Sequence, residues 1–242
     1  GVHPLYQKVW TKRQQLTWFA VSGLLALSAG VYALFYTHFD KTVIGYFLFG
    51  ALILLFYTWP LKHIGLGELN IFLIWGPVLV SGVYLVLAKQ FTPAMWQVAL
   101  AGVPIGLSVV SINLGKHIDK SAEDKRKKVG TLPVIIGEKA ARYVDMAAIA
   151  LIYLVILYLV FITHYFTPVM LLVLLAGKRA LYAFGVLLKP RPAEPPAEWK
   201  FWPTWFSGFA FYHNRLFSNL FVLALLADVL LRIFLPGFWP AR

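Results

Sequence analysis

The chain has 242 residues, of which 60% are hydrophobic, 17% aromatic and only 13% charged, with a mean hydropathy of +0.72, and this excludes both a soluble globule and a disordered chain. The absence of Cys excludes disulfides, thiolate metal sites and cysteine nucleophiles. The net charge of +12 is an excess that membrane loops ordinarily carry, so no nucleic-acid partner is inferred from it.

In chain order, apolar runs predict spans near 16–37, 43–59, 71–88, 95–112, 141–163, 167–188 and 215–235. Their lengths suit the roughly 20 residues an α-helix needs to cross about 30 Å of hydrocarbon. Backbone polar groups cannot stay unpaired in lipid, and no period-two alternation marks a barrel, so helices are expected. The fold class is therefore all-α, a polytopic membrane helix bundle of about seven spans. It is read as one membrane domain over 1–242, with a lead-in at 1–15, an acidic loop at 113–140 and a Pro/Trp-rich loop at 189–214.

Of the 22 Lys and Arg residues, 16 fall on the side holding those three segments and the 60–70 loop, against four on the other side. The positive-inside rule makes that side cytoplasmic. The expected location is multi-pass in the inner, cytoplasmic membrane, with the acidic loop facing the cytoplasm.

Two polar segments interrupt the apolar pattern. The first runs from Tyr57 through Lys62 and Glu68 to Asn70; Pro60 ends one helix, two glycines permit a tight re-entry, and Glu68 opens the next. Glu68 serves equally well as a helix-start carboxylate, and Lys62 as a topological anchor. The second joins Asn113 and His117, one turn apart at the mouth of an apolar helix, to Asp119, Lys120, Glu123, Asp124, Lys125 and Arg126. Spacings of four and five residues let Asp119, Glu123 and Asp124 share roughly one helical face, as an oxygen-ligand Mg²⁺ site requires, with cations placed for phosphate. A solvated amphipathic loop with i,i+4 ion pairs fits the same charges.

Lys178 and Arg179 lie in an apolar run and require a cavity, a partner or an early exit from the membrane. Asp228 and Arg232 are spaced to pair with each other.

The segment Tyr57-Thr58-Trp59-Pro60-Leu61-Lys62 followed by Gly65-Leu66-Gly67-Glu68, and then Asn113 to Asp124 followed by Thr131-Leu132-Pro133 and Gly137, resembles the UbiA superfamily of intramembrane prenyltransferases, most closely its quinone-type members. The resemblance implies nine helices around a laterally open cavity, with acidic motifs after the second and sixth. The spans here match helices three to nine, so the first two helices and the first acidic motif are expected either before Gly1 or to be missing altogether from a degenerate relative that lacks half its metal site. Many members place the second motif's carboxylates four apart. Asp119 and Asp124 are five apart, whereas Asp119 and Glu123 restore the four-residue spacing; the register back from Thr131 favours Asp124.

The implied reaction is Mg²⁺-dependent transfer of an isoprenyl group from a prenyl diphosphate to an aromatic, quinone-precursor-like acceptor. The resemblance casts Asp119 and Asp124 as catalytic, and Asp119, Glu123 and Asp124 as metal ligands. It casts Tyr57, Lys62, Glu68, Asn113, His117, Lys120, Lys125 and Arg126 as substrate-binding. The alternative is a non-catalytic relative, a lipid- or quinone-binding or structural subunit with partners in a larger membrane complex.

Overall fold

The computed structural model describes residues 9–197 and 199–240. Residues 1–8 of the expected lead-in, together with 198 and 241–242, lie outside the described residues. The described chain is helical. α1 (Lys12–Tyr36) starts at a capping box in which the Thr11 hydroxyl accepts from the Gln14 N–H and the Gln14 side chain accepts from the Thr11 N–H. α2 (Lys41–Phe56) is capped by Asp40, whose carboxylate accepts from the Thr42 and Val43 N–H groups. A 3₁₀ turn at Leu61–Ile64 leads into α3 (Gly67–Leu73) and, through a π turn at Ile74–Val78, α4 (Leu79–Ala88). α5 (Ala94–Asp119) is followed by the short α6 (Ser121–Arg126) and α7 (Leu132–Ile136). α8 (Glu138–Phe161), a 3₁₀ stretch at Pro168–Ala176, α9 (Gly177–Leu187) and α10 (Phe206–Phe234) complete the bundle.

Six of these segments are long and apolar enough to cross a membrane, taking α3 to α4 and the 3₁₀ stretch to α9 as single crossings. The seventh expected span, α2, has 16 residues and reaches only about 24 Å at 1.5 Å per residue. Other boundaries move as well. α10 begins at Phe206 rather than near 215, because Phe206, Ser207, Phe209, Ala210 and His213 form a buried face that a hydropathy average over His213, Asn214 and Arg215 conceals. The expected loop at 113–140 is largely helical. α5 runs on to Asp119, and α8 opens at Glu138, with the Arg142 guanidinium buried and donating to the Leu187 carbonyl at the end of α9 (3.0 Å).

α5 occupies the centre and packs on α3, α4, α8 and α10. In lipid, helices associate through close packing rather than water exclusion, and small residues let backbones approach. A Cβ on Gly106 would stand 2.7 Å from the Phe72 carbonyl oxygen, and one on Gly102 2.7 Å from that of Gly76. Gly76 (φ −114°, ψ −108°) and Pro77 kink the α3–α4 crossing there. On the other side of α5, Gly115 lies against the first turn of α10, where an added Cβ would meet the Ser207 nitrogen at 2.8 Å. Below these crossings Ile149, Ile152 and Ile156 of α8 and Phe217 of α10 are fully buried.

Candidate functional site

Both polar segments sit at the same end of the bundle. Gly65, at φ +78°, ends the 3₁₀ turn, and a Cβ on it would strike Ile135. Gly130 abuts the His63 carbonyl so closely that no side chain fits between them. The 57–66 loop is therefore seated on the segment that follows the acidic residues.

Within that end, Glu68 of α3 and His117 of α5 are both buried, and the imidazole Nδ1 lies 2.6 Å from the Glu68 Oε1. Asn113, one turn back along α5, places its amide 3.5 Å from the same Nδ1. Tyr57, half-buried just beyond α2, is close enough to feel the Glu68 carboxylate. Burial first, and that negative charge second, hold its phenol above the ordinary value, so at neutral pH it keeps its proton and can donate. The structure thus brings together Tyr57, Glu68, Asn113 and His117.

Two buried polar atoms beside this group have no protein partner, Glu68 Oε2 and the Asn70 amide nitrogen. An unsatisfied buried amide costs about 1–3 kcal/mol, which marks the spot as one built to meet a polar group. Asn70 escaped the sequence reading as a site residue; its only signal was its place two positions beyond Glu68. It also lines an apolar cavity of about 610 Å³ with Tyr57, Ile53, Ile74 and Trp75, between α2 and α3.

The acidic segment is arranged differently from one shared helical face. The helix breaks at Lys120 (φ −108°, ψ 6°), and Asp119 turns toward α10. Its carboxylate accepts from the backbone N–H groups of Trp205 (2.9 Å), Phe206 (3.0 Å) and Ser207 (3.1 Å) and from the Ser207 hydroxyl (2.8 Å). Its own carbonyl accepts from Arg191, whose guanidinium lies over the Trp202 ring. Glu123 pairs instead with Lys127 one turn on. That hydrogen bond and the Lys127 charge hold its carboxyl below the ordinary value. Asp124, half-buried, accepts from the Thr131 hydroxyl at 3.3 Å.

Among the described residues, no three His, Asp or Glu side chains gather as a metal-binding cluster. Four donors already saturate the Asp119 carboxylate, so it fits a metal poorly. Asp124, with one long hydrogen bond, and Glu123 beside it fit a hydrated Mg²⁺ that takes one or two carboxylates and completes its shell from water and phosphate. Lys120 lies near Glu123 and Lys62 is half-buried against Gly67, while Lys125 and Arg126 are exposed on α6.

The far end of the bundle holds a separate structural pair. Asp228 accepts the Thr167 N–H at 2.6 Å and lies 3.4 Å from Arg232, which also donates to the Tyr165 carbonyl.

Compared with known proteins, the chain finds no match among curated sequences and none among solved structures. The model of the UbiA prenyltransferase family matches residues 2–214, a stretch containing every motif residue placed above. With that match over most of its length, the chain belongs to the UbiA prenyltransferase family.

Proposed function

We propose that this protein transfers an isoprenyl group from a prenyl diphosphate to an aromatic acceptor of the quinone-precursor kind, within the inner membrane and from its cytoplasmic face. The observation that carries the reading is the buried Glu68–His117 contact, which unites motif residues from two segments at the end where the cations gather.

In this reading Lys62, Lys120, Lys125 and Arg126 receive the diphosphate as charge-assisted donors. Mg²⁺ bound by Asp124 and Glu123 would neutralise the leaving group. Tyr57 hydrogen-bonds through its phenol O–H to an oxygen of the substrate, held in place beside the Glu68–His117–Asn113 group. Asn70 offers its free amide to the acceptor, and the cavity below Tyr57 takes the apolar chain. The C1–oxygen bond breaks with its electron pair going to the diphosphate, a ring carbon of the acceptor bonds to C1, and the ring proton leaves to the departing diphosphate. Asp119 positions α10 in this scheme and does not touch the substrate.

The test is turnover of radiolabelled prenyl diphosphates with a panel of hydroxylated aromatic acids by the purified full-length protein. Asp124→Ala should lower the rate by about two or more orders of magnitude, as loss of an electrostatic stabiliser does, while the thermal transition holds. Near-normal turnover in that variant would overturn the assignment.

A further inference from the structure

Two cations of the membrane-spanning region take no part in that site. Arg215 follows the first residue of α10 by nine positions, and Arg179 precedes the last residue of α9 by eight. At 1.5 Å per residue they lie about 14 Å and 12 Å from the same end of the bundle, and therefore at nearly one depth. Among the described residues neither is ion-paired to an acidic side chain. Arg179 is held over the Tyr212 ring, 4.2 Å from its centroid, and donates to the Tyr212 carbonyl, which leaves most of its guanidinium hydrogens free. The Arg215 side chain makes no protein hydrogen bond among the described residues, and the residue is exposed. Cations at such depth are expensive in a membrane unless something negative meets them or they reach up to the interface.

Both arginines line one cavity of about 840 Å³ between α9 and α10. Its outer wall is formed by Pro196, Trp199, Phe201 and Trp205, with Trp199 stacked on Phe209 (4.5 Å between centroids) and donating its indole N–H to the Thr204 carbonyl. Below the arginines the helix surfaces are apolar and exposed at Leu223 and Leu226.

We infer that this cavity is a binding site for an anionic glycerophospholipid, whose phosphate lies between Arg179 and Arg215, whose headgroup contacts the Trp199–Trp205 loop, and whose acyl chains run down α10. A cationic pocket with an apolar apron suits a molecule that is negative at one end and hydrocarbon at the other. A soluble phosphate would leave that apron without a partner. The Trp205 ring lines this cavity while its backbone N–H donates to Asp119, so a bound lipid would also steady the start of α10.

The experiment uses the full chain in a neutral detergent, with native mass spectrometry reading lipid adducts as phosphatidylglycerol or phosphatidylcholine is titrated in. Wild type should prefer phosphatidylglycerol by roughly 30-fold, the combined effect expected of two cations near a membrane surface. R179Q/R215Q should lose the preference and R179K/R215K should keep most of it. Equal binding of the two lipids by wild type overturns the site, as does an undiminished preference in folded R179Q/R215Q. Should R179Q/R215Q fail to fold, the wild-type comparison and R179K/R215K still decide. A third arm adds inorganic pyrophosphate; its displacing the lipid at equal concentration would assign the cations to a soluble phosphoanion and overturn the lipid assignment. Because turnover is not read, failure here leaves the prenyltransferase reading untouched.

Discussion

The Asp119 carboxylate accepts the Ser207 hydroxyl at 2.8 Å and the Ser207 backbone N–H at 3.1 Å, joining the end of α5 to the start of α10 across 88 positions. The first N–H groups of a helix lack intrahelical acceptors and carry the positive end of its dipole. A carboxylate delivered by another helix answers both needs, and Gly115 allows α5 close enough to deliver it.

Asp119→Ala should therefore cost stability, by about 2 kcal/mol on the scale of a lost helix cap and charged hydrogen bonds. The damage should be local, with hydrogen exchange at 205–207 accelerating well before that of the α5–α8 core. Unchanged exchange at those amides, alongside a fall in Mg²⁺ affinity, would return Asp119 to the role of ligand.

A double-mutant cycle on Glu68 and His117 should show coupling of about 1–3 kcal/mol, because each single truncation leaves the other buried group without its partner. The check is chemical unfolding of E68A, H117A and E68A/H117A in the same micelles. Additive losses would mean that the 2.6 Å contact contributes nothing beyond its separate halves.

The Tyr57 phenol should ionise above the ordinary value of 10.0. Its folded value is raised, so its contribution to stability is complete below the unfolded pKa and is lost as pH rises through the folded one. Ultraviolet titration of wild type minus Tyr57→Phe isolates the signal. Glu68→Gln should move the midpoint part of the way down, leaving the burial effect, which is the larger cause; an unmoved midpoint would mean that Glu68 does not act on the phenol.

Gly130→Val should separate the 57–66 loop from the segment after Asp124, since a Cβ at that position collides with the His63 backbone. An overpacking cost of about 1–3 kcal/mol is expected, together with a turnover loss larger than that of a conservative change on exposed α6, such as Ala122→Ser. Turnover and unfolding measured on both variants give the comparison. Equal effects would show that the loop contact does not shape the site.

Much of the site was legible because its residue types are costly where they stand. Asn113 and His117 at the mouth of an apolar helix, and Glu68 after a Pro and two glycines, stood out against their surroundings, and Asp228 with Arg232 signalled a pair by spacing alone. Asn70 was concealed beside a more conspicuous carboxylate. Ser207 carried no local sign, since its partner is 88 positions away. The start of α10 was misjudged because hydropathy averages over both faces of a helix, and the Phe206–His213 face is buried against protein rather than lipid.

The sequence by itself determined an all-helical membrane bundle and the end of the bundle where polar chemistry collects, because those follow from transfer energies and spacings summed along the chain; the family rests on its motifs and on the family model they match. The direction in which each polar side chain points was decided only by the tertiary structure. Three carboxylates that helical spacing would place together are divided among α10, Lys127 and Thr131, since the helix breaks at Lys120 and each oxygen takes the nearest unsatisfied donor. Two arginines 36 positions apart come to share one cavity because α9 and α10 cross there, a juxtaposition set by packing that no local pattern in the chain records.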